Sequence, residues 1–389
     1  MHAFIKKLLD GQKVEWKTLG EIANLKRGRV ISKEYLTNNK GIYPVYSSQT
    51  VDDGKIGSIN TFDFDGEFVT WTTDGANAGT VFYRNGKFSI TNVCGLVILN
   101  DLNQLNYKFI YYWLCIEAKK YVYSGMGNPK LMSNQMEKIK IPIPPLSVQT
   151  EIVRILDAFT AMTAELTAEL TAELNLRKKQ YQYYRDYLLD VDNPNNPIMN
   201  GEKVEWRTLG EVAQYSKSRI NANELDKDSY IGVDNLLQNR AGKIPSNHVP
   251  TDGRVATYQK NDILIGNIRP YLKKIWQANN NGGASGDVLV IHLTDNSVNP
   301  RYLYQVLSDD KFFEYNMKYA KGAKMPRGDK ESILKYKIPI PPLSVQQKIV
   351  DVLDKFDTLT NSISEGLPKE IELRQKQYEY YRQVLLGFD

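Results

Sequence analysis

The sequence predicts an α+β protein: two mixed α/β domains with antiparallel strands, separated by two long antiparallel helices in a coiled-coil-like rod with pseudo-two-fold symmetry. Three observations lead to this prediction. The chain has 389 residues, which is long for one core and sufficient for two. It repeats itself after about 190 residues. Each repeat combines short strand-like segments with a stretch of apolar residues at helical spacing.

The repeat is an internal duplication with constant and divergent parts. Val14–Glu21 returns as Val204–Glu211 with one change, a shift of 190 residues, and Ile141–Gln149 returns unchanged as Ile338–Gln346, a shift of 197. A constant block indicates a shared partner or scaffold, and divergent blocks indicate separate targets. Neutral drift after duplication is the alternative, although drift should not spare one block and scramble the next. The divergent blocks are about 20–137 and 210–334.

The constant blocks predict two long helices. Ser147 and Ser344 are placed to cap the first turns, and Gln347 would complete a capping box in the second copy. At about 1.5 Å per residue each helix would be roughly 60 Å long. Neither helix can bury its apolar stripe alone, so the two copies are expected to pack antiparallel on each other. These stripes are Ile152, Leu156 and Phe159 in one copy, and Ile349, Leu353 and Phe356 in the other.

The two predicted helices differ in the middle. Three tandem Thr-Ala-Glu-Leu repeats occupy residues 163–174 of the first helix, whereas Gly366 and Pro368 predict a break near 366–368 in the second. One interpretation of the repeats is helical filler with leucines on an apolar face. The predicted segments, in order, are a first domain, a first helix, a second domain and a second helix: 1–140, 141–192, 193–337 and 338–389.

The two ends of the chain fit the same repeating pattern. Leu8-Leu9-Asp10 before the first Val-Glu-Trp echoes Leu188-Leu189-Asp190 before the second, and the chain ends shortly after Leu385-Leu386. The N-terminus therefore reads as the continuation of the C-terminus, and the two termini are expected to meet in space.

Composition excludes several classes of protein. A net charge of +5 is far from that of a purely electrostatic nucleic-acid coat. Cys94 and Cys115 suit buried free thiols, which favours a reducing cytoplasm, and no apolar stretch predicts a secretory signal or a membrane span. Base-methylation, phosphate-loop and metal-binding motifs are missing, and Gly75–Thr80 lacks the lysine of a phosphate loop. His2, His248 and His292 have no motif partners.

The divergent blocks, the duplicated Ile-Pro-Ile-Pro-Pro-Leu and the Thr-Ala-Glu-Leu repeats resemble the specificity subunits of type I restriction-modification systems, particularly the IC-like group. The resemblance covers nearly the whole chain. It implies two target recognition domains that each read one half of a split sequence in double-stranded DNA, two bound methyltransferase subunits, and restriction subunits for cleavage. It also implies a non-catalytic chain without cofactors, because S-adenosylmethionine, ATP and magnesium would be used by the partner subunits.

The resemblance gives the repeats a second interpretation. One four-residue repeat adds about 6 Å of helix, and one base pair of B-DNA advances about 3.4 Å. Because these steps are comparable, deleting one repeat is expected to shorten the gap between the two halves of the DNA target.

Candidate DNA contacts lie in loop-like positions of the divergent blocks, where donors, acceptors and aromatic side chains occur together. Arg269 and Asn267 are the first choices for base readout, because arginine pairs bidentately with guanine and asparagine with adenine. The candidates in the first block are Arg27, Arg29, Ser47, Gln49, Trp71, Thr72, Thr73, Asn77, Asn128 and Lys130. Those in the second block are Lys217, Arg219, Asn267, Arg269, Tyr271, Lys273, Lys274, Lys324 and Arg327.

Two other functions stay open at this point. A scaffold protein would use the rod and the divergent blocks to bind proteins only, without affinity for DNA. A nuclease would need a magnesium-binding carboxylate site, for which Asp63, Asp65 and Glu67 are the candidates. These three residues read more simply as a solvated turn and strand.

Overall fold

The computed structural model describes residues 2–125, 127–199, 201–362 and 365–388. By its internal contacts the chain divides into two units: unit 1 comprises Met1–Glu165 and Arg374–Asp389, and unit 2 comprises Leu166–Leu373. Both predicted helical segments, 141–192 and 338–389, are therefore shared between the units.

Unit 1 contains a six-stranded sheet and a separate two-stranded sheet. The strands are β1 Glu15–Thr18, β2 Ala23–Arg27, β3 Lys40–Tyr46, β4 Lys55–Ile59, β5 Phe64–Thr72, β6 Val81–Ile90, β7 Cys94–Leu99 and β8 Lys140–Ile143. The large sheet has the order β2-β7-β5-β6-β3-β4, and β1 pairs with β8. All pairs are antiparallel except β3 with β6. The helices that start in this unit are α1 Ala3–Leu9, α2 Leu19–Ile22, α3 Lys33–Asn38, α4 Tyr107–Glu117, α5 Ser133–Met136 and α6 Leu146–Leu189.

Unit 2 contains two four-stranded sheets and a two-stranded sheet. The strands are β9 Glu205–Thr208, β10 Ala213–Tyr215, β11 Arg219–Asn221, β12 Tyr230–Ile231, β13 Arg254–Tyr258, β14 Ile263–Gly266, β15 Ile275–Gln277, β16 Gly282–Ala284, β17 Val288–Leu293 and β18 Lys337–Ile340. The sheet orders are β10-β17-β14-β15, β11-β13-β16-β12 and β18-β9. The remaining helices are α7 Leu209–Val212, α8 Pro300–Leu307, α9 Asp310–Lys318, α10 Lys330–Leu334, α11 Leu343–Asn361 and α12 Leu367–Leu385. The predicted α+β class with mainly antiparallel strands is confirmed.

The repeated Val-Glu-Trp segment forms the same local structure in both units. Its glutamate accepts a hydrogen bond from the threonine N–H at the helix start, from Thr18 to Glu21 in unit 1 and from Thr208 to Glu211 in unit 2. Each pair is a capping box that begins α2 or α7. The accepted hydrogen bonds lower the pKa of both glutamates.

The long helices begin differently from the sequence prediction. Both start at the leucine before the predicted cap, and α11 has Pro342 at its N-cap with no side-chain cap. Gln347 donates to Asp351 instead of closing a capping box (2.8 Å). The predicted caps at Ser147 and Ser344 are therefore wrong, because the proline carbonyl just before each helix already accepts the first helical N–H groups.

A buried glutamine fixes the start of each long helix instead. The Gln149 amide donates to the carbonyls of Pro144 and Gln104 (both 2.8 Å) and accepts from the N–H of Asn106. Gln346 makes the same three contacts in unit 2, with Pro341, Ser297 and Asn299. Because neither glutamine is exposed to solvent, these hydrogen bonds tie each long helix to its own domain.

The predicted break in the second helix is confirmed. Helix α6 is continuous over 44 residues, whereas α11 ends at Asn361 and α12 begins at Leu367. Residues 363 and 364 of the connection lie outside the described residues. Gly366 adopts a positive φ of 82°, and Pro368 stands in the first turn of α12, where its missing N–H costs nothing.

The apolar stripes of both long helices are buried within their own units. In unit 1, Phe159 of α6 stacks on Tyr381 of α12 (ring centroids 5.2 Å) while Thr160 contacts Tyr378, so the helices run antiparallel there. In unit 2, Phe356 of α11 stacks on Tyr184 of α6 (5.3 Å). The same pair of ring positions thus closes both helix pairs.

The termini of the chain share the core of unit 1. Ile5 and Leu9 of α1 are buried together with Leu386 and Phe388 from the end of the chain. Met199, which lies 190 residues after Leu9, is buried in the core of unit 2. The predicted meeting of the termini is confirmed, with Met199 rather than Leu189 as the partner of Leu9 in the duplication.

Candidate nucleic-acid interface

The first candidate surface of unit 1 lies at one end of its large sheet. Strands β2 and β5 both run antiparallel to β7, and Arg27 and Trp71 both pair with Gly95. Their carboxyl ends therefore leave the sheet at the same end. This topology brings the residues after Arg27 next to those after Thr72, although the two segments are far apart in sequence.

Two arginines stand at this end of the sheet. The Arg27 guanidinium donates to the Thr73 hydroxyl (3.2 Å) and lies 3.6 Å from a carboxylate oxygen of Asp74. The Arg29 guanidinium pairs with Asp63 (3.0 Å) and lies over the ring of Tyr35. Both arginine side chains keep about 40% of their surface exposed, so they remain accessible to an anionic ligand.

The segment after β3 joins this surface through a buried threonine. Thr91 forms an isolated backbone bridge with Arg29 and donates its hydroxyl to the Ser47 hydroxyl (2.9 Å). Gln49 is exposed, but its amide donates to the carbonyl of Lys55 and closes the loop locally. Arg84 packs beneath the loop and donates to Asp53, and burial lowers the pKa of Arg84.

Two loops of unit 1, residues 73–80 and 122–131, form a paired-loop element. Three backbone interactions hold them: Leu131 N–H donates to Thr73 (2.9 Å), Asp74 bridges to Lys130, and Gly75 N–H donates to Pro129 (3.0 Å). The exposed side chains of this element include Tyr123, Asn128 and Lys130, together with Asn77. The predicted contacts Asn77, Asn128 and Lys130 thus remain available to a ligand.

Three predicted contacts in unit 1 are wrong. Trp71, Thr72 and Thr73 are fully buried. The Trp71 indole N–H donates to the carbonyl of Leu131 (2.9 Å), and the hydroxyls of Thr72 and Thr73 are hydrogen-bonded within the protein. These residues stand at the end of a central strand, where both faces of the sheet are covered, and they hold the loops in place.

Unit 2 presents the same end of its first sheet. Strands β10 and β14 both run antiparallel to β17, and Tyr215 and Ile263 both pair with Ile291. Lys217 and Arg219 follow β10, and both are exposed. They leave the sheet at the same end as the segment after Gly266.

Two loops of unit 2, residues 267–274 and 320–328, form the second paired-loop element. Gly328 N–H donates to Asn267 (3.1 Å), Ile268 bridges to Arg327, and Arg269 N–H donates to Pro326 (2.7 Å). Each of these interactions has a counterpart at the same place in the paired loops of unit 1. The elements are therefore equivalent, although the loops carry different residues.

Equivalence of the two elements aligns three basic positions. Arg27 corresponds to Lys217, and Arg29 to Arg219, by the pairing of β2 and β10 at the edges of their sheets. Lys130 corresponds to Arg327, because each bridges to two strands of its own paired loops. We call these positions the basic triad, and each unit has one: Arg27, Arg29 and Lys130 in unit 1, and Lys217, Arg219 and Arg327 in unit 2.

Asn267, one of the two first choices for base readout, is wrong as a ligand contact. It is only 6% exposed, and its side-chain oxygen has no partner among the described residues. It faces Asn316 beneath Gly328, where an added Cβ would come within 2.3 Å of the Asn316 oxygen and 2.8 Å of the Asn267 oxygen. Asn267 occupies the position of Thr73 and supports the loop from below.

Two lysines of unit 2 are held by protein acceptors. Lys273 pairs with Asp310 (2.7 Å), and Lys274 donates to the carbonyl of Val233 (2.7 Å). Burial raises the pKa of Asp310, but its contacts with Lys273 and Arg240 outweigh burial and leave the pKa lowered. Arg269, Tyr271, Lys324 and Arg327 are exposed on the same paired loops, with Arg327 at 3.3 Å from Asp287.

Sequence reasoning missed the partner strands of the paired loops. Tyr123 and Lys321 stand opposite Lys130 and Arg327 and were not among the candidates. A signal for the element does exist in the sequence, because Pro129-Lys130 returns as Pro326-Arg327 at the shift of 197 that relates the constant blocks.

The carboxylates and histidines singled out as catalytic alternatives have structural partners. Asp63 pairs with Arg29, and Asp65 lies 3.9 Å from Lys87. The His292 ring nitrogen lies 2.7 Å from Asp262, and the His2 ring accepts the N–H of Phe4 at the start of α1. Within the described ranges, no three His, Cys, Asp or Glu side chains are grouped as metal ligands would be.

The described helices do not include one with the length and apolar character needed to cross a bilayer.

The fold and the two equivalent basic surfaces define a protein with two related recognition domains. The sequence matches the family described as "Type I restriction modification DNA specificity domain" twice, over residues 12–176 and 201–373. The chain belongs to this family, the specificity subunits of type I restriction-modification systems.

Relatives match over the whole chain. A putative type I restriction enzyme specificity subunit from Haemophilus influenzae is 36% identical, covering 99% of this chain and 98% of that protein. The Escherichia coli EcoR124I/EcoR124II specificity subunit is 34% identical, covering 99% and 97%.

Solved structures share the fold. A chain from a study of type I system assembly and conformational transition is similar with a TM-score of 0.64, 14% identity and coverage of 97% and 98%. The S subunit from M. genitalium is similar with a TM-score of 0.51, 18% identity and coverage of 97% of both chains.

Proposed function

We propose that each paired-loop element binds one half of a two-part target in double-stranded DNA, so that the chain gives its complex sequence specificity. The basic triad is the observation that supports this most. Three basic side chains occupy equivalent positions in both units, at the same end of equivalent sheets, on loops that otherwise differ. A charge kept while its neighbours change suits a ligand feature that both targets share, and the phosphate backbone is that feature of DNA.

The chain itself is proposed to be non-catalytic. Its candidate sites offer donors and positive charge rather than a nucleophile, a general base or a metal site. Adenine methylation with S-adenosylmethionine, and cleavage that uses ATP and magnesium, would be carried out by methyltransferase and restriction subunits. This chain would bring those subunits to the two half-sites.

The long helices are proposed to dock two methyltransferase subunits. An exposed stripe, here called the docking stripe, is identical in the two copies. Its residues lie three and four positions apart, on one helix face. Exposed leucine and tyrosine side chains in both copies suit one partner bound twice. The docking stripe is Leu176, Lys179 and Tyr183 on α6, and Leu373, Lys376 and Tyr380 on α12.

A neighbouring helix face provides an internal control. Lys178, Gln182 and Asp186 are replaced by Gln375, Glu379 and Gln383 in the second copy. This face drifted after the duplication while the docking stripe did not. Shared ancestry alone would have let both faces change.

The docking proposal predicts a change in stoichiometry. Tyr183→Glu should reduce the complex from two methyltransferase subunits to one, measured by native mass spectrometry, and Tyr380→Glu should do the same. Gln182→Glu is the matched control, because it installs the residue of the second copy on the drifted face. Two bound subunits in both tyrosine variants would contradict the proposed docking site.

The repeat region is proposed to set the spacing between the half-sites. Helix α6 is unbroken through residues 163–174, so removing four residues shortens it by about 6 Å. We expect a shorter gap in the DNA target of that variant. An unchanged gap would show that spacing is set elsewhere.

Methylation mapping tests the proposal as a whole. Cells that carry this chain and its methyltransferase are sequenced by a single-molecule method that reads modified adenines. We expect one motif with two short specific parts around a fixed nonspecific gap. An intact complex that produces no motif would support the scaffold alternative instead.

A further inference from the structure

One backbone position in the paired loops has the same unusual conformation in both units. Gly75 in unit 1 has φ +89°, and Arg269 in unit 2 has φ +52°. Each residue donates its N–H to a proline carbonyl of the opposite loop, Pro129 or Pro326. The loop therefore needs a left-handed residue at this position, whichever side chain stands there.

Glycine adopts this conformation without steric cost, whereas an arginine does not. Unit 1 uses the residue that suits the backbone, and unit 2 retains a residue that strains it. The shape of the loop therefore does not explain Arg269. Its side chain must contribute something that offsets the strain.

The Arg269 side chain is placed to meet a ligand. It is exposed, and no described residue forms a hydrogen bond or ion pair with its guanidinium. Lys273 and Lys274 on the same loop are held by protein acceptors. Arg269 is thus the cation of this segment that the protein leaves available.

Arg269 also differs from the basic triad in what its counterpart is. Each triad position is basic in both units, which suits the phosphates that every DNA sequence carries. The position of Arg269 is basic in unit 2 and glycine in unit 1, which suits a feature that only one half-site carries. A base edge is such a feature, and a guanidinium pairs bidentately with the N7 and O6 atoms of guanine.

We propose that Arg269 reads a guanine in the half-site bound by unit 2. This inference rests on the proposed function and adds one specificity-determining residue to it. Arg269 donates two hydrogen bonds to the guanine edge in the major groove. Pro326 holds its backbone, and the basic triad of unit 2 holds the neighbouring phosphates.

The test compares Arg269→Gly with the wild-type complex, both by methylation mapping and by binding to oligonucleotides that carry each base at every position. We expect discrimination in favour of guanine to fall by about 5- to 150-fold at one position of one half-site. The other half-site should be unchanged. Because glycine relieves the strain, the melting temperature should be unchanged or higher by about 2–4 °C.

Lys324→Gly is the matched control, because Lys324 is an exposed cation on the opposite loop of the same element. It should weaken binding to all sequences by the same factor. Arg269→Asn, whose side chain tolerates a left-handed backbone, is a second variant that should lose the guanine requirement.

Three results would overturn the inference: an unchanged motif in both Arg269 variants, equal weakening on every sequence, or a lower melting temperature for Arg269→Gly. Absence of any two-part motif from the wild-type complex would instead overturn the proposed function. A two-part motif whose bases do not respond to Arg269 would leave the proposed function standing and remove this residue from it.

Discussion

The two recognition units hold different loop residues on one backbone frame. Residues 73–75 of unit 1 and 267–269 of unit 2 make matching backbone interactions with the opposite loop, yet Thr-Asp-Gly stands in one and Asn-Ile-Arg in the other. The long helices show the opposite behaviour, since their exposed docking stripes are identical. The difference teaches that surface identity was kept where one partner binds twice, and was kept only in its charges where two half-sites differ.

Damage to the shared frame should affect both units equally and strongly. Gln149→Leu and Gln346→Leu each remove three hydrogen bonds of a fully buried amide and leave backbone groups without partners. We expect each to lower the free energy of unfolding of its unit by about 3 kcal/mol, measured by native-state hydrogen exchange of each unit. Gln347→Leu, at an exposed position, should cost far less. Unequal losses would show that the helix starts are not equivalent.

Removal of a triad residue should weaken DNA binding without changing its sequence preference. Arg27→Ala and Lys217→Ala should each reduce the slope of log K against log salt by about 0.9, measured by titration at several salt concentrations. Lys260→Ala is the control, because Lys260 precedes β14 and lies at the opposite end of that strand. A change of motif in either triad variant would assign that residue to base readout.

The strained loop position should respond with opposite signs in the two units. Gly75→Ala should destabilise unit 1 by about 1 kcal/mol, because an added Cβ meets no atom within 4 Å and only the positive φ opposes it. Gly286→Ala also meets open space, at an ordinary φ, and should be neutral. Thermal denaturation measures both. Equal effects of the two substitutions would remove backbone strain from the comparison.

The smallest expected difference concerns acid. Asp295 pairs with Arg207 in unit 2 (2.6 Å), and hydrogen bonds from Ser297 followed by the contact with Arg207 lower the pKa of Asp295 from 3.8 to about 2. A carboxyl with a lowered folded pKa stabilises the fold above its unfolded pKa, and this contribution is lost as pH falls from about 4 to about 2. In unit 1 the equivalent Lys17 pairs with Glu15 on its own strand.

Asp295→Asn should therefore flatten the acid limb of the stability curve of unit 2 and leave that of unit 1 unchanged. Urea denaturation between pH 2 and pH 5, read by hydrogen exchange in each unit, measures this. An acid limb in unit 2 that keeps its slope in the variant would show that other carboxylates carry the dependence.

Much of the fold follows from the sequence alone. The duplication predicts two units, the stripe around Leu156 and Leu353 predicts the long helices, and Gly366 with Pro368 predicts the break. The helix caps do not follow, because a buried glutamine and a proline carbonyl take the role that serine usually has.

The candidate site follows only in part. Exposed Arg27, Lys130 and Arg269 were predicted from residue type, but Trp71 and Asn267 are buried. Burial at the end of a strand depends on what the neighbouring strands and the opposite loop cover, and residue type does not report that. The shifts of 190 and 197 residues extend from the constant blocks into the basic triad, so the sequence does contain the equivalence that the structure makes visible.

The most direct test of the account exchanges one divergent block. Residues 20–137 are replaced by the corresponding block of the Haemophilus influenzae relative, and methylated adenines are mapped in cells carrying the chimaera and the methyltransferase. Independent units on a shared frame predict that one half of the motif changes while the other half and the gap stay the same. A motif in which both halves change, or neither does, would contradict the account.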